Sequence, residues 1–121
     1  MPTRTELKQQ YKDNPPAMGV FAIRNMVSGK VLMGVSLNVP GSLNRARFEL
    51  TRGMHRNQEL QSDWNTLGAD QFRFEMLDEL KPMAERTSQR ADDLRELEAM
   101  WLDKLQPFGA NGYNELPKPQ P

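Results

Sequence analysis

Phe72, Phe74 and Met76 alternate with Gln71, Arg73 and Glu75. This is the period-two pattern of a strand with one buried face, and it commits the chain to a sheet. Two further apolar segments of strand length run from Met18 to Arg24 and from Val31 to Leu37. Ser28 and Gly29 lie between them with the chemistry of a hairpin-like reversal, so the pair is expected to be antiparallel. Helical signals fill the rest. Pro40 and Gly41 introduce a stretch through Leu43, Ala46 and Leu50, with Gly53 placed as a left-handed C-terminal cap. Asn57 can cap a second helix, in which Leu60, Trp64 and Leu67 recur at helical spacing before Gly68 stops it. A long helix from about Gln89 to Leu105 carries Leu94, Leu97, Trp101 and Leu105 on one stripe. The expectation is an α+β domain: a small three-stranded antiparallel sheet packed by helices.

With 121 residues there is room for one core. Residues 1–16 are read as an N-terminal helical extension, in which Thr3 and Glu6 form a capping box and Leu7 and Tyr11 the apolar face, broken by Asn14, Pro15 and Pro16. Residues 17–115 are read as the domain, and residues 116–121 as a disordered proline-rich tail. Cysteine is absent, which excludes disulfides, a thiol nucleophile and thiolate zinc sites. No apolar run nears the roughly 20 residues that span a bilayer and no signal peptide is evident, so no membrane association and a cytoplasmic location are expected.

Sixteen basic side chains balance sixteen acidic ones, so the chain lacks the overall basic excess that drives non-specific DNA binding. The distribution is uneven. Arg45, Arg47, Arg52 and Arg56 crowd one short stretch with only Glu49 against them, whereas Glu75 to Asp103 is mostly acidic. The four arginines are either a local nucleic-acid-binding face or an ordinary solvated helix surface.

One carboxylate is out of place. At about 100° per residue, Glu98 projects about 40° from Leu94 and about 20° from Leu105, inside the apolar sector of the long helix. Glu96 and Asp103 project toward solvent. Glu98 is either a carboxylate reaching water from the stripe's edge or one held by a cation, a metal or a polar cleft. Trp64 and Trp101 sit on apolar stripes and read as core, as do Met33, Met76 and Met100. His55, the only histidine, reads most simply as a helix-entry residue, and Asn114 as an amide holding the terminal turn.

Taken in order, the segments resemble a known family. Gly19, Val20 and Phe21, then Ile23, Asn25, Gly29, Lys30, Leu32, Met33, Gly34 and Ser36 look like the opening hairpin of a GIY-YIG nuclease domain, whose two tripeptides lie on adjacent strands. The likeness continues through Gly53, His55, Asn57, Leu60, Gln61, Trp64, Asn65, Gly68, Phe72 and Glu75. It then runs through Glu98, Trp101 and Leu105 to Gly112, Tyr113 and Asn114, spanning about residues 18 to 115. The resemblance implies a DNA endonuclease that hydrolyses phosphodiester bonds with one divalent cation, Mg2+ or Mn2+, held in part by the substrate. By position, Glu98 becomes the metal ligand, Asn114 a supporting amide and His55 a polar residue near the cleft. The logic is a hard cation neutralising developing charge while a cationic side chain orients phosphate.

The departures from the family pattern are specific. Phe21 and Leu32 stand where the family has its two tyrosines, removing both hydroxyls. The family arginine falls at Ser42, with Arg45 one helical turn later as its substitute, and the usual histidine falls at Ala46. The alternative implied is a catalytically degenerate GIY-YIG domain serving as a nucleic-acid or protein binding module, with a separate protein partner supplying any targeting. Phe21 and Leu32 are expected side by side in the cleft, and Glu98 pointing into it.

Overall fold

A computed structural model of the chain describes residues 16–80 and 90–116. Strands β1 (Met18–Asn25), β2 (Val31–Ser36) and β3 (Phe72–Leu80) form one antiparallel sheet in the order β2-β1-β3. Helices α1 (Val39–Thr51) and α2 (Gln58–Leu67) lie between β2 and β3 in sequence, and α3 (Arg90–Leu105) comes last. The expected helix near the N-terminus and the tail beyond Leu116 lie outside the described residues.

Local chemistry accounts for most boundaries. The Asn25 side chain accepts the N–H groups of Val27 and Ser28 at 2.9 and 3.1 Å, and Gly29 takes a left-handed φ of 83°, together turning β1 into β2. Asn38 caps α1 by accepting from the Gly41 N–H, and Asn57 caps α2 by accepting from the Leu60 N–H. Gly53, at φ 73°, and Gly68, at φ 92°, follow these two helices where no side chain is favoured.

Helices cover both faces of the sheet. On one face Ile23 and Phe72 join Ala46, Leu50, Leu60, Trp64 and Tyr113 in a buried cluster, with Leu32 and Phe74 packed against it. On the other, Val20, Ala22, Val31 and Met33 meet Leu97, Trp101, Leu102 and Leu105 of α3. Central β1 is therefore buried along nearly its whole length. Ile23, Leu50 and Leu60 are at most 1% exposed. Truncating one of these leucines to alanine costs on the order of 2–5 kcal/mol.

Strand β3 runs to Leu80, four residues beyond the alternating segment, because β1 continues to supply partners: Gly19 faces Glu79 and Met18 faces Leu80. The pairing shifts on the way, since Phe21 opposes Met76 while Val20 opposes Asp78. Leu77 is the extra residue of this bulge and packs on the α3 side. A Cβ on Gly19 would come within 2.0 Å of the Asp78 carbonyl oxygen, so the bulged strand requires glycine there. Two side chains read as core are exposed instead, Met76 at 43% and Met100 at 52%. The α1 and α2 cluster ends at Phe74, and Leu97 and Trp101 rather than Met100 carry the contact of α3.

The open edge of β2 is covered by residues near the C-terminus. Gly112 bridges Val31, the Tyr113 N–H donates to the Val31 carbonyl at 3.0 Å, and Asn114 brackets Met33. Over Val31 to Met33 an edge paired in this way offers no free ladder to another chain.

Candidate active site

A cavity of about 690 Å3 opens on the sheet face that carries Phe21, Ile23 and Leu32. The register explains their company: Phe21 pairs with Gly34 and Ile23 with Leu32, so Phe21, Ile23 and Leu32 project to one side. One wall comes from α1, where Ser42, Arg45, Ala46 and Glu49 present a single helical face. The loop before α2 adds His55, Arg56 and Asn57, and the C-terminal segment adds Tyr113, Asn114 and Glu115. The Phe21 ring lies over Gly34, where an added Cβ would fall 2.6 Å from the ring's Cζ.

The polar lining is held by internal bonds. The His55 N–H donates to Gln61 Oε1, and His55 Nδ1 accepts from the Asn57 N–H, both at 3.0 Å. With Nδ1 accepting, the neutral ring carries its proton on Nε2. Burial pushes the His55 pKa below the ordinary value, assisted by Arg56 and opposed by Glu49, which favours that neutral form. Asn114 donates to the Met33 carbonyl and accepts from the Met33 N–H, each at 2.8 Å, so its amide is spent on the edge of β2.

Among the described residues Tyr113 is the only phenol in the lining, and it is not free for chemistry. Its hydroxyl donates to Asp63 at 2.7 Å and accepts from the Asn25 amide at 3.0 Å. Burial, with the Asp63 bond, raises its pKa to about 12. Arg45 is 81% exposed and its Nε lies 3.6 Å from Glu49, a loose pair that leaves the guanidinium available.

Two solved structures are similar to the chain over most of its length. The catalytic domain of the homing endonuclease I-TevI aligns with a TM-score of 0.66 and 26% sequence identity, covering 83% of this chain and 99% of that domain. A glutamate-to-alanine mutant of the catalytic domain of intron endonuclease I-TevI aligns with a TM-score of 0.65 and 26% identity, covering 81% and 92%. The chain has the GIY-YIG nuclease fold. No protein-family model and no curated protein matches the sequence.

Within this GIY-YIG domain, the hairpin brings Phe21 and Leu32 to one cavity, together with Arg45, Arg56, His55 and Asn114. Arg47 and Arg52 are not in the lining. Arg47 stacks over Phe74 at 4.3 Å and Arg52 over Phe48 at 5.0 Å, so the four-arginine stretch divides into two cavity residues and two outer ones. Glu98 is half-buried, unlike the exposed Glu96 and Asp103, but it is not in the lining either. The reason is that α3 covers the opposite face of the sheet. Met33 and Val35 belong to that face and also border the cavity, which therefore reaches round the edge of β2 toward the side that α3 covers.

Among the described residues, no group of three histidine or acidic side chains could hold a metal. A lone carboxylate such as Glu98 fits a hard cation whose remaining ligands are water and phosphate oxygen. Glu49 and Glu115 are the charged lining residues to which the sequence assigned no site role. Glu49 stood one turn beyond Arg45, a spacing that signals a shared face, whereas nothing local marks Glu115. Among the described residues no helix is long and apolar enough to cross a membrane.

Proposed function

We propose that this domain binds DNA at the cavity and hydrolyses a phosphodiester bond there with the help of one divalent cation. The observation that carries the reading is the match to nearly the whole of a homing-endonuclease catalytic domain, at 26% identity. Arg45 and Arg56 bind and orient the phosphate from the α1 wall and the α2-side loop, and Arg47 and Arg52 add outer phosphate contacts. His55, with Nδ1 engaged by the main chain, serves as an Nε2–H donor to a phosphate oxygen rather than as a proton acceptor. Glu98 would hold Mg2+ or Mn2+, which when bound supplies charge neutralisation at the phosphate. Phe21 and Leu32 offer no hydroxyl and Tyr113 is committed to Asp63, so no tyrosine handles the proton. As water attacks phosphorus its proton passes to solvent, the bond from phosphorus to the leaving oxygen breaks, and solvent protonates that oxygen.

That last point favours a second reading, in which the domain binds nucleic acid without cutting it. Incubation with single-stranded, duplex and branched DNA, with and without Mg2+ or Mn2+, separates the two. Metal-dependent cleavage that is lost in Glu98→Gln, with folding intact, supports hydrolysis. Salt-sensitive binding without cleavage, weakened in the Arg45→Ala, Arg47→Ala double variant, supports the second reading. If Glu98→Gln cuts as well as the parent, Glu98 is not the metal ligand. Absence of both binding and cleavage overturns both readings.

A further inference from the structure

We infer that the cavity receives an unpaired nucleotide, with its base stacked on Phe21 and its phosphate held between Arg45 and Arg56. The inference rests on the DNA-binding reading and narrows its substrate to strands with an accessible base. Its starting point is the Phe21 ring. One side of the ring lies over Gly34, which has no side chain to displace it, and the ring also lines the cavity. The contact with Gly34 holds the ring close to the sheet, and Phe21 is half-buried, so part of the ring meets the open space. Half-buried Leu32, backed by buried Ile23 and Ala46, extends this into an apolar floor. Among the lining side chains, only the rim is charged.

The division between floor and rim matches the chemistry of a nucleotide. A base has an apolar face that stacks on aromatic rings in any sequence, while its edge and phosphate need polar partners. Glu49 and Glu115 at the rim can accept from exocyclic amines, as carboxylates do from cytosine, and Arg45 and Arg56 suit phosphate. These two acids offset the two arginines, so the cavity is not the strongly basic trough that tracks a duplex backbone. In an intact duplex every base face is covered by its neighbours, and Phe21 would have nothing to stack on. The cavity volume falls in the range of about 300–1,000 Å3 usual for small-ligand sites.

The test measures binding of a fluorescent single strand, a blunt duplex of the same sequence, and a single strand with abasic sites, at fixed salt and without divalent metal. The single strand should bind more tightly than the duplex. Phe21→Leu, which keeps apolar volume but removes the ring, should weaken single-strand binding by roughly 5- to 150-fold, the range set by loss of one base–aromatic stack. Phe21→Tyr should retain it. Abasic strands should show a similar loss on the unaltered protein, and a 2-aminopurine strand should be quenched on binding by the parent but not by Phe21→Leu. Equal affinity for strand and duplex, or parent-like binding by Phe21→Leu, would overturn the inference. If that happens while an Arg45→Ala, Arg56→Ala double variant loses duplex binding, the DNA reading survives without it. If no nucleic acid binds, both fall together.

Discussion

Asn114→Ala separates a brace from a reacting group. In the structure the Asn114 amide spans Met33, donating to its carbonyl and accepting from its N–H, both at 2.8 Å. Each such bond contributes about 0.5–1.5 kcal/mol net. Removing the pair also strips two main-chain groups of their partners at a half-buried edge, where water can restore only part of the loss. A destabilisation of roughly 2 kcal/mol follows, a sizeable share of the about 5–15 kcal/mol that holds a domain together. For a chain of this size that amounts to a fall in Tm of roughly 6–12 °C. Urea unfolding should show a lower midpoint with an unchanged slope, as expected when native contacts are lost without a change in the surface exposed. Asn114→Asp should be no better than alanine, since it keeps the acceptor but sets a carboxylate oxygen against the Met33 carbonyl. The reasoning is refuted if Asn114→Ala unfolds at the parent's midpoint while DNA binding or cleavage collapses, because the amide would then act on substrate and not on β2.

Two further predictions concern groups around the same cavity. Tyr113→Phe leaves the Asn25 amide, 1% exposed, without its hydroxyl partner and should cost about 1–3 kcal/mol in urea unfolding at pH 7. Because burial raises the Tyr113 pKa from 10.0 to about 12, its contribution is complete below pH 10 and lost as pH rises toward 12. The gap between parent and Tyr113→Phe should therefore narrow over that window; a constant gap would show that the phenol titrates normally. His55 has the opposite sign. Its pKa is lowered from 6.5 by burial, so the unfolded chain takes up the proton first, and the contribution to stability present above pH 6.5 is lost as pH falls through the depressed value. His55→Gln should flatten the parent's loss of stability between pH 7 and pH 5, and an unchanged slope would assign that loss to other groups.

Fold and site were readable in the sequence to different depths. Elements that declare themselves within a few residues were plain: the alternation of Phe72 and Phe74, the Asn57 cap, and Gly53 and Gly68 just past their helices. The bulge at Leu77 was not, since a register shift belongs to the pairing of two strands, and Gly19, which the close Asp78 carbonyl requires, marks a tight approach without saying which strand makes it. That shift sets Asp78 opposite Val20 on the α3 side, where the Trp101 indole N–H donates to it at 2.9 Å, and the alternation alone could not show that helix cover stops short of Met76. The hydroxyl chain from Asn25 through Tyr113 to Asp63 joins residues 88 and 50 positions apart, beyond the reach of any local pattern. Arg45 and Glu49, by contrast, shared a readable helical spacing, although only the fold shows that their common face looks into a cavity.

Glu98 shows where a helical projection stops being informative. The projection gives the azimuth of a side chain relative to the apolar stripe of its own helix, and in that respect Glu98 is half-buried while Glu96 and Asp103 are exposed. It cannot tell which face of the sheet the stripe will cover. Here α3 covers the Val20 and Ala22 face, whereas Phe21 and Leu32 open the cavity on the other, so the sheet separates the stripe of α3 from the cavity. The two faces meet at β2, whose Met33 and Val35 pack on the α3 side and border the cavity, whose Met33 backbone is bracketed by Asn114 and whose Gly34 underlies the Phe21 ring. Any cooperation between Glu98 and the arginine-lined cavity therefore depends on the position of this single strand. Loosening β2 through Asn114 should disturb metal-dependent and metal-independent DNA contacts together, whereas Glu98→Gln should disturb only the first.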